Sequence, residues 1–135
     1  MSPRRLLDTN LIVRHLTQDN PKQAQTAAKL FAACDRGDLT LVILPAVLAE
    51  SVFVLESFYR LPREQIGRTL TLLISSPGIE LFDASVHLDA LDRYRKGKIH
   101  FIDCVVAAHA AADKIPIATL DADFKKFADV EVELE

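Results

Sequence analysis

Long apolar runs are missing from this chain of 135 residues. The longest, residues 39–49, is about half the ~20 residues that a helix needs to cross a bilayer. The opening residues Met-Ser-Pro-Arg-Arg also lack the apolar stretch of a secretion signal. We therefore expect a protein without membrane contact that stays in the cytoplasm.

Cysteine and glycine are scarce too. The two cysteines, Cys34 and Cys104, lie in Ala-rich or Val-rich helical segments, where a thiol behaves as a small buried hydrophobe, and two such residues cannot build a disulfide framework. With only four glycines and six prolines, neither a fibrous repeat nor a low-complexity tract is indicated. Half of the residues are apolar, so we expect one globular domain over residues 1–135.

A general positive charge is absent as well. The formal net charge is −3, which argues against a protein that coats nucleic acid through a positive field. Basic residues are nevertheless clustered, most densely in residues 93–98. Such a cluster can follow a phosphate backbone, although it is also common at solvated helix ends. The candidates for substrate binding are Arg93, Arg95, Lys96 and Lys98.

Strand and helix patterns alternate along the chain. Short apolar or β-branched runs predict strands, whereas apolar residues at helical spacing predict helices. The predicted strands are residues 6–7, 39–44, 79–82, 116–120 and 130–134. The predicted helices are residues 11–16, 21–36, 45–59, 62–74, 85–96 and 103–114. This order predicts an α/β fold with an open parallel sheet of about five strands flanked by helices, and helices 45–59 and 62–74 form a protruding hairpin.

Four acidic residues occupy places where such a sheet binds ligands. Asp8 and Asp121 follow predicted strands, Asp103 opens a helix, and Glu50 lies inside an apolar helix. Ligands of open parallel sheets bind beyond the carboxyl ends of the strands. Carboxylates that meet in a fold repel one another unless a divalent cation neutralises them. If the four converge, they make a metal site.

Most of these residues also have an ordinary structural explanation. Asp8 and either Asp121 or Asp123 can cap the turns that follow them, and Asp103 is favoured by the dipole at a helix start. Glu50 is harder to explain, because its neighbours are apolar and a partly buried ion needs a partner. The four positions together are more specific than any one of them.

Four short segments carry the acidic residues. They are Leu-Leu-Asp-Thr-Asn near the start, the Glu in the helix after the second strand, Phe-Ile-Asp-Cys-Val-Val-Ala-Ala-His-Ala, and Ala-Thr-Leu-Asp-Ala-Asp-Phe. In order, spacing and chain size they resemble the PIN-domain ribonucleases, in particular the VapC-type toxins of toxin–antitoxin pairs. The resemblance covers the whole chain and implies a PIN-like fold.

The resemblance also implies an activity, namely that of a Mg²⁺- or Mn²⁺-dependent endoribonuclease leaving 5′-phosphate and 3′-hydroxyl ends. Asp8, Asp103 and Asp121 would hold the metal, and Glu50 would bind a second ion or orient the attacking water. The sequence leaves open whether one or two ions bind and whether Asp121 or Asp123 is the fourth acidic ligand. The accessory residues that the resemblance implies are Thr9, Asn10, Thr119 and Asp123.

Partners follow from the same resemblance. It implies an RNA substrate, a cognate antitoxin that covers the cleft, and a homodimer. We expect antitoxin contact at the helical hairpin, because its apolar residues exceed what one small core requires, and exposed apolar patches often mark interfaces. These residues are Phe53, Val54, Phe58, Tyr59 and Leu61.

Other functions fit less well. A receiver domain needs a Lys after the last strand, where this chain has Leu120-Asp121, and a haloacid-dehalogenase-like phosphatase needs an Asp where it has Asn10. No His or Cys spacing indicates zinc, and His109 receives no role. The remaining alternative is a non-catalytic PIN-like module that binds RNA or a protein. The sequence does not specify the RNA target, because base choice depends on cleft shape and loops.

Overall fold

Strands and helices alternate along the chain in the order that the sequence predicts. The structure, a computed structural model, describes residues 2–134. The strands are β1 (Arg4–Leu6), β2 (Thr40–Ile43), β3 (Ile79–Leu81), β4 (Ile117–Thr119) and β5 (Val132–Leu134). The helices are α1 (Thr9–Thr17), α2 (Pro21–Asp35), α3 (Pro45–Ser57), α4 (Arg63–Ile74), α5 (Ala84–Lys96) and α6 (Phe101–Asp113), and a short 3₁₀ helix spans Ala122–Lys126.

Local sequence signals set the ends of α2 and α3. The side chain of Asn20 accepts a hydrogen bond from the backbone N–H of Gln23, and Pro21 occupies the first turn of α2. Just beyond α2, Gly37 takes a φ of 85°, a conformation that glycine adopts without steric cost. Pro45 opens α3 directly after β2. These residues explain why both helices start where the sequence places them.

All five strands pair in parallel, but they form two sheets. One has the order β1-β2-β3, with Leu6 opposite Val42 and Val42 opposite Glu80, and the other contains β4 and β5. Within the described residues, β1 pairs only with β2, and all three of its residues are exposed. The expected strands are therefore present, whereas the expected single sheet is divided.

The main core lies between the three-stranded sheet and the helices that pack on it. Its largest fully buried side chains include Ile12, Leu48, Leu70 and Tyr94. A smaller apolar cluster joins α6 to the second sheet through Ala107, Ala110, Ile117 and Phe124. Helix α6 contributes to both clusters, so it is the element that the two parts of the molecule share.

Both cysteines are buried and free, as predicted. Cys34 and Cys104 are 1% and 0% exposed. Burial raises the pKa of the Cys104 thiol to about 11, so this thiol stays protonated at neutral pH. The two residues therefore act as packing residues in the described structure.

The predicted helical hairpin consists of α3 and α4. Its inner faces, which include Leu48, Leu55 and Leu70, belong to the main core. On the outer side, Phe53 is 60% exposed and Phe58 is 76% exposed. The hairpin thus anchors in the core and presents aromatic rings to solvent. None of the helices in the described part of the chain is long and apolar enough to cross a membrane.

Candidate functional site

Asp8 lies at the carboxyl edge of the three-stranded sheet. The preceding residue, Leu7, is buried and donates its backbone N–H to the carbonyl of Val42 at 2.9 Å. Because β1 and β2 are parallel, Asp8 and the start of α3 lie at the same edge of this sheet. Asp8 occupies the N-cap position of α1, yet its side chain makes no capping hydrogen bond. Capping therefore does not account for this carboxylate.

The accessory residues beside Asp8 differ in exposure. Thr9 is 5% exposed, and its backbone begins α1, whereas Asn10 is exposed. Thr9 is thus fixed by the core, and Asn10 is the one that solvent or a ligand can reach.

Glu50 is more exposed than its apolar surroundings predict. It lies in the second turn of α3 and faces solvent rather than the core. Its side chain forms no ion pair or hydrogen bond with any other residue in the range 2–134. The expectation of a partly buried ion with a partner is therefore wrong, because the neighbours that enter the core are Leu48, Val52 and Leu55, whereas Glu50 and Phe53 are exposed.

Asp103 lies in the first turn of α6, which begins two residues earlier than the sequence predicts. Phe101 is buried and is the first helical residue, and His100, with extended backbone, precedes it. Asp103 is half-buried, and no hydrogen bond or ion pair engages its carboxylate among the described residues. Helices α3 and α6 pack together, and Glu50 and Ile102 line one cavity between them. The start of α6 is thus next to Glu50.

Asp121 lies in the turn after β4. Its backbone N–H donates to Thr119 Oγ1, and its Oδ1 accepts the N–H of Asp123, each at 2.9 Å. Asp123 in turn forms an ion pair with Lys126 at 3.2 Å. The capping explanation therefore holds for Asp121, and Asp123 is engaged by a lysine.

The expected metal-binding cluster is not assembled. Within residues 2–134, no three His, Cys, Asp or Glu side chains are arranged so that they could hold a metal ion. Asp8 and Glu50 extend from the main sheet and its helices, whereas Asp121 belongs to the second sheet. Mg²⁺ usually keeps several waters and takes only one or two carboxylates, so a site with fewer protein ligands is the one that these residues fit. The assignment of Asp8, Glu50, Asp103 and Asp121 to catalysis stays a prediction.

Most of the predicted RNA-binding cations already have partners within the fold. Arg93, whose side chain is 11% exposed, pairs with Asp89 and Asp129, and its guanidinium lies 5.2 Å from the ring centroid of Phe127. The hydrogen bond that Arg93 donates to Asp129 raises the pKa of Arg93 further above its usual range. Arg93 thus fastens the C-terminal segment to α5.

Arg95 and Lys96 are paired as well. Arg95 contacts Glu64 at 3.1 Å and Asp92 at 3.0 Å, and Lys96 contacts Asp92 at 2.8 Å. Lys98 is exposed and forms no ion pair with a residue of the described range. A cavity of about 430 Å³ beside these residues is lined by cations of α5, of the following turn and of the 3₁₀ helix, namely Arg93, Lys96, Lys98 and Lys126.

Lys126 was not among the predicted substrate-binding residues. It lies 28 positions after Lys98 in the sequence, so local charge clustering could not connect the two. The adjacent pair Lys125-Lys126 was the one available signal.

Arg63 is a second residue whose structural role could not be predicted from the sequence. Its guanidinium donates hydrogen bonds to the backbone carbonyls of Tyr94 at 2.9 Å, Gly97 at 3.1 Å and Ile99 at 2.6 Å. It also lies 4.1 Å from the ring centroid of Tyr94. Arg63 therefore holds the turn that leads into α6 and so positions Asp103.

Comparisons with known proteins give one family. The family model described as PIN domain matches residues 5–130. Among solved structures, the chain is similar to one described as the crystal structure of VapBC2 from Rickettsia felis bound to a DNA fragment from their promoter. The sequence identity is 22%, the TM-score is 0.38, and the match covers 99% of this chain and 98% of that chain. Likeness at this level says nothing about the partners or activity of this chain. No curated protein matches significantly.

Proposed function

This chain belongs to the PIN domain family, and on that premise we propose that it is a metal-dependent endoribonuclease that hydrolyses RNA phosphodiester bonds. PIN domains are generally nucleases, and they generally use divalent metals. We also propose that the protein acts as the toxin of a type II toxin–antitoxin pair, with a cognate antitoxin as partner and a homodimer as its assembled form.

The observation that best supports this proposal is that three acidic side chains have no hydrogen bond or ion pair within the described residues. Asp8, Glu50 and Asp103 lie at or near helix starts, and no ion pair or hydrogen bond engages their carboxylates in the described range. Asp103 is half-buried, so leaving its charge without a partner is costly, whereas Asp8 and Glu50 are exposed and accessible to a substrate. A carboxylate left open in this way can accept a proton from the water that attacks the phosphate.

Metal dependence is supported by the family rather than by the present geometry. Within residues 2–134, no three of the carboxylates form a metal site. The proposed ligands are Asp8, Asp103 and Asp121 with Glu50 beside them, and water and the RNA phosphate would complete the coordination, as is usual for Mg²⁺.

RNA contact is proposed for the basic cavity beside α5. Lys98 and Lys126 reach solvent there, and Arg93 and Lys96 add positive charge that Asp92, which also lines the cavity, partly offsets. Contacts to phosphates position a nucleic acid without reading its sequence. Alanine at Lys98 and Lys126 together should weaken RNA binding without changing base preference.

One observation favours a second function. Because no metal-binding cluster is formed within residues 2–134, the chain could bind RNA or a protein without cutting. In that case the exposed Phe53 and Phe58 on α3 are the natural contact surface for a protein partner.

Cleavage of a mixed RNA pool by the purified protein tests the proposal. We expect cleavage with Mg²⁺ or Mn²⁺ and none in EDTA. The cleavage rate of Asp8→Asn, which keeps the size of the side chain, should be lower by about 10²-fold or more. Asp113→Asn is the matched control, because Asp113 is an exposed aspartate at the far end of α6. Cleavage that persists in EDTA or in Asp8→Asn would contradict the proposal. A folded protein that binds RNA without cutting it would favour the second function.

A further inference from the structure

A cavity of about 250 Å³ lies between α3 and α6, directly beside Glu50. Its volume is slightly below the ~300–1,000 Å³ of sites that hold drug-sized ligands, so it suits one ring system rather than a whole nucleotide. The side chains that matter for its chemistry come from α3, from α5 and from the start of α6. They are Glu50, Phe53, Glu56, Tyr94, His100 and Ile102.

One side of the cavity is apolar and accessible. Phe53 is 60% exposed and Ile102 is 50% exposed, and both line the cavity from neighbouring helices. An exposed aromatic ring beside a cavity offers a face on which an unpaired base can stack. His100, which precedes α6, adds a second ring to the lining.

The other side carries a fixed carboxylate. The hydroxyl of Tyr94 donates a hydrogen bond to Glu56 Oε1, and Arg63 Nε lies 3.6 Å from the same oxygen. Burial, and then the nearby Glu56, raise the pKa of Tyr94, so its hydroxyl stays protonated as a donor. Glu56 Oε2 has no hydrogen-bond partner among residues 2–134. The carboxylate is thus held by one oxygen, while the other remains open as an acceptor.

We propose that this cavity receives one unpaired RNA base next to the cleaved phosphate, stacked on Phe53, with Glu56 accepting a hydrogen bond from an amino group of the base. This inference rests on the proposed ribonuclease function and names a specificity site for it. Cytosine, adenine and guanine present an exocyclic amino group to a carboxylate, whereas uracil offers only its ring N3–H, which is flanked by two carbonyl oxygens that a carboxylate repels. The cavity therefore selects an amino-bearing base over uracil.

A base suits this cavity better than an apolar side chain of a protein partner does. An apolar occupant would cover the open oxygen of Glu56 without giving it a donor, and leaving a buried charged acceptor unpaired is costly. An amino-bearing base provides both the ring for Phe53 and the donor for Glu56. The adjoining Glu50 places the cavity beside the candidate catalytic residues.

Binding of short RNAs tests the inference without any cleavage. Fluorescence anisotropy in EDTA would compare labelled 12-nucleotide cytidine, adenosine and uridine RNAs. We expect the unaltered protein to favour cytidine and adenosine over uridine. Phe53→Ala should weaken binding of all three about tenfold, within the range measured for loss of a stacking aromatic. Phe58→Ala is the matched control, because Phe58, directly after the last residue of α3, is 76% exposed and does not line the cavity.

Glu56→Gln tests the base choice. The amide can still accept the hydrogen bond of Tyr94, but it can also donate to a carbonyl, so the preference against uridine should shrink or disappear. An unchanged preference in Glu56→Gln would overturn the assignment. Equal affinities of Phe53→Ala and Phe58→Ala, or no RNA binding by the unaltered protein, would also overturn it.

A cleavage assay with sequenced product ends separates this inference from the proposed function. Suppose that the protein cuts RNA while Phe53→Ala and Glu56→Gln leave KM and the base at the cut unchanged. The ribonuclease function is then confirmed, and the assignment of the cavity as a base site is wrong. If the unaltered protein does not cut, the proposed function is wrong. The anisotropy results in EDTA still show whether the cavity binds a base.

Discussion

Individual acidic residues fall into two groups according to their partners. Asp19, Asp92 and Asp129 have pKa values lowered by hydrogen bonds from Tyr59, Lys96 and Arg93 respectively, so the folded structure uses their charge. Asp8 and Glu50 have no such partners in the described range. Asp113 also has no such partner there, so the position of Asp8 at the sheet edge and of Glu50 beside the cavity between α3 and α6 is what makes these two the candidates.

Asp129→Asn should destabilise the fold in a manner that depends on pH. Because the hydrogen bond from Arg93 lowers the pKa of Asp129 below its ordinary value of 3.8, its contribution is present above that value and lost as the pH falls through the folded-state pKa. We expect the variant's free energy of unfolding to be lower by about 1 kcal/mol at pH 7, and this difference to disappear in strong acid. Urea unfolding across this pH range measures it. A loss that stays constant with pH would contradict the ion-pair explanation.

Leu70→Ala should cost about 2–5 kcal/mol of unfolding free energy, because Leu70 is fully buried in the main core and the change leaves a cavity. Leu72→Ala, two residues along α4, is the control: Leu72 is 64% exposed, and its replacement should change stability by less than about 0.5 kcal/mol. Similar losses in both variants would show that the assigned face of α4 is wrong.

At the scale of the elements, the turn between α5 and α6 depends on one side chain from α4. Arg63→Ala removes three hydrogen bonds from a charged donor to backbone carbonyls. We expect the free energy of unfolding to fall by about 2 kcal/mol. Amide hydrogen exchange should increase at residues 97–101. Arg68→Ala, an exposed arginine on the same helix, should leave these amides protected. Unchanged exchange in Arg63→Ala would contradict the positioning role.

The helices and strands could be predicted from the sequence because their signals are local. Pro21 and Pro45 mark helix starts, and alternating or helical apolar spacing marks most of the rest. The start of α6 was misplaced, since the prediction took Asp103 as the opening residue, whereas the buried Phe101 begins the helix. Asp103 is still in the first turn, where the helix dipole favours an acid.

Pairing between distant segments could not be predicted. Apolar periodicity identifies a strand but not its neighbour, and strands of three residues carry little information about register, so the division into two sheets was not foreseen. The same holds for Arg93, whose partner Asp129 lies 36 residues away. Local spacing suggested a solvent-facing cation, whereas the fold buries it.

At the scale of the whole molecule, α6 connects the two apolar clusters. Cys104 and Ala108 pack in the main core, and Ala107 and Ala110 pack against the second sheet. Helix α6, whose first turn carries Asp103, therefore joins the two clusters.

Binding of Mg²⁺ or Mn²⁺ to the folded chain should raise its melting temperature. A ligand at 100 times its Kd stabilises the native state by about 2.7 kcal/mol, provided that it does not bind the unfolded chain. We expect the shift in the unaltered protein and in Asp113→Asn, its loss in Asp8→Asn, and its reversal by EDTA. Differential scanning fluorimetry measures this. An equal shift in Asp8→Asn would show that the ion binds elsewhere.

The outer edge of β1 bears on how the purified protein behaves in solution. An open strand edge is a template on which a strand of another molecule can add, and this one carries Arg4 and Arg5. Although Glu80 neutralises Arg4 in part, the charge of Arg5 opposes the approach of an identical edge. Such repulsion reaches about 10 Å at 0.1 M salt and about 3 Å at 1 M. Concentrated stocks should therefore remain clear in dilute buffer and become turbid as salt is added.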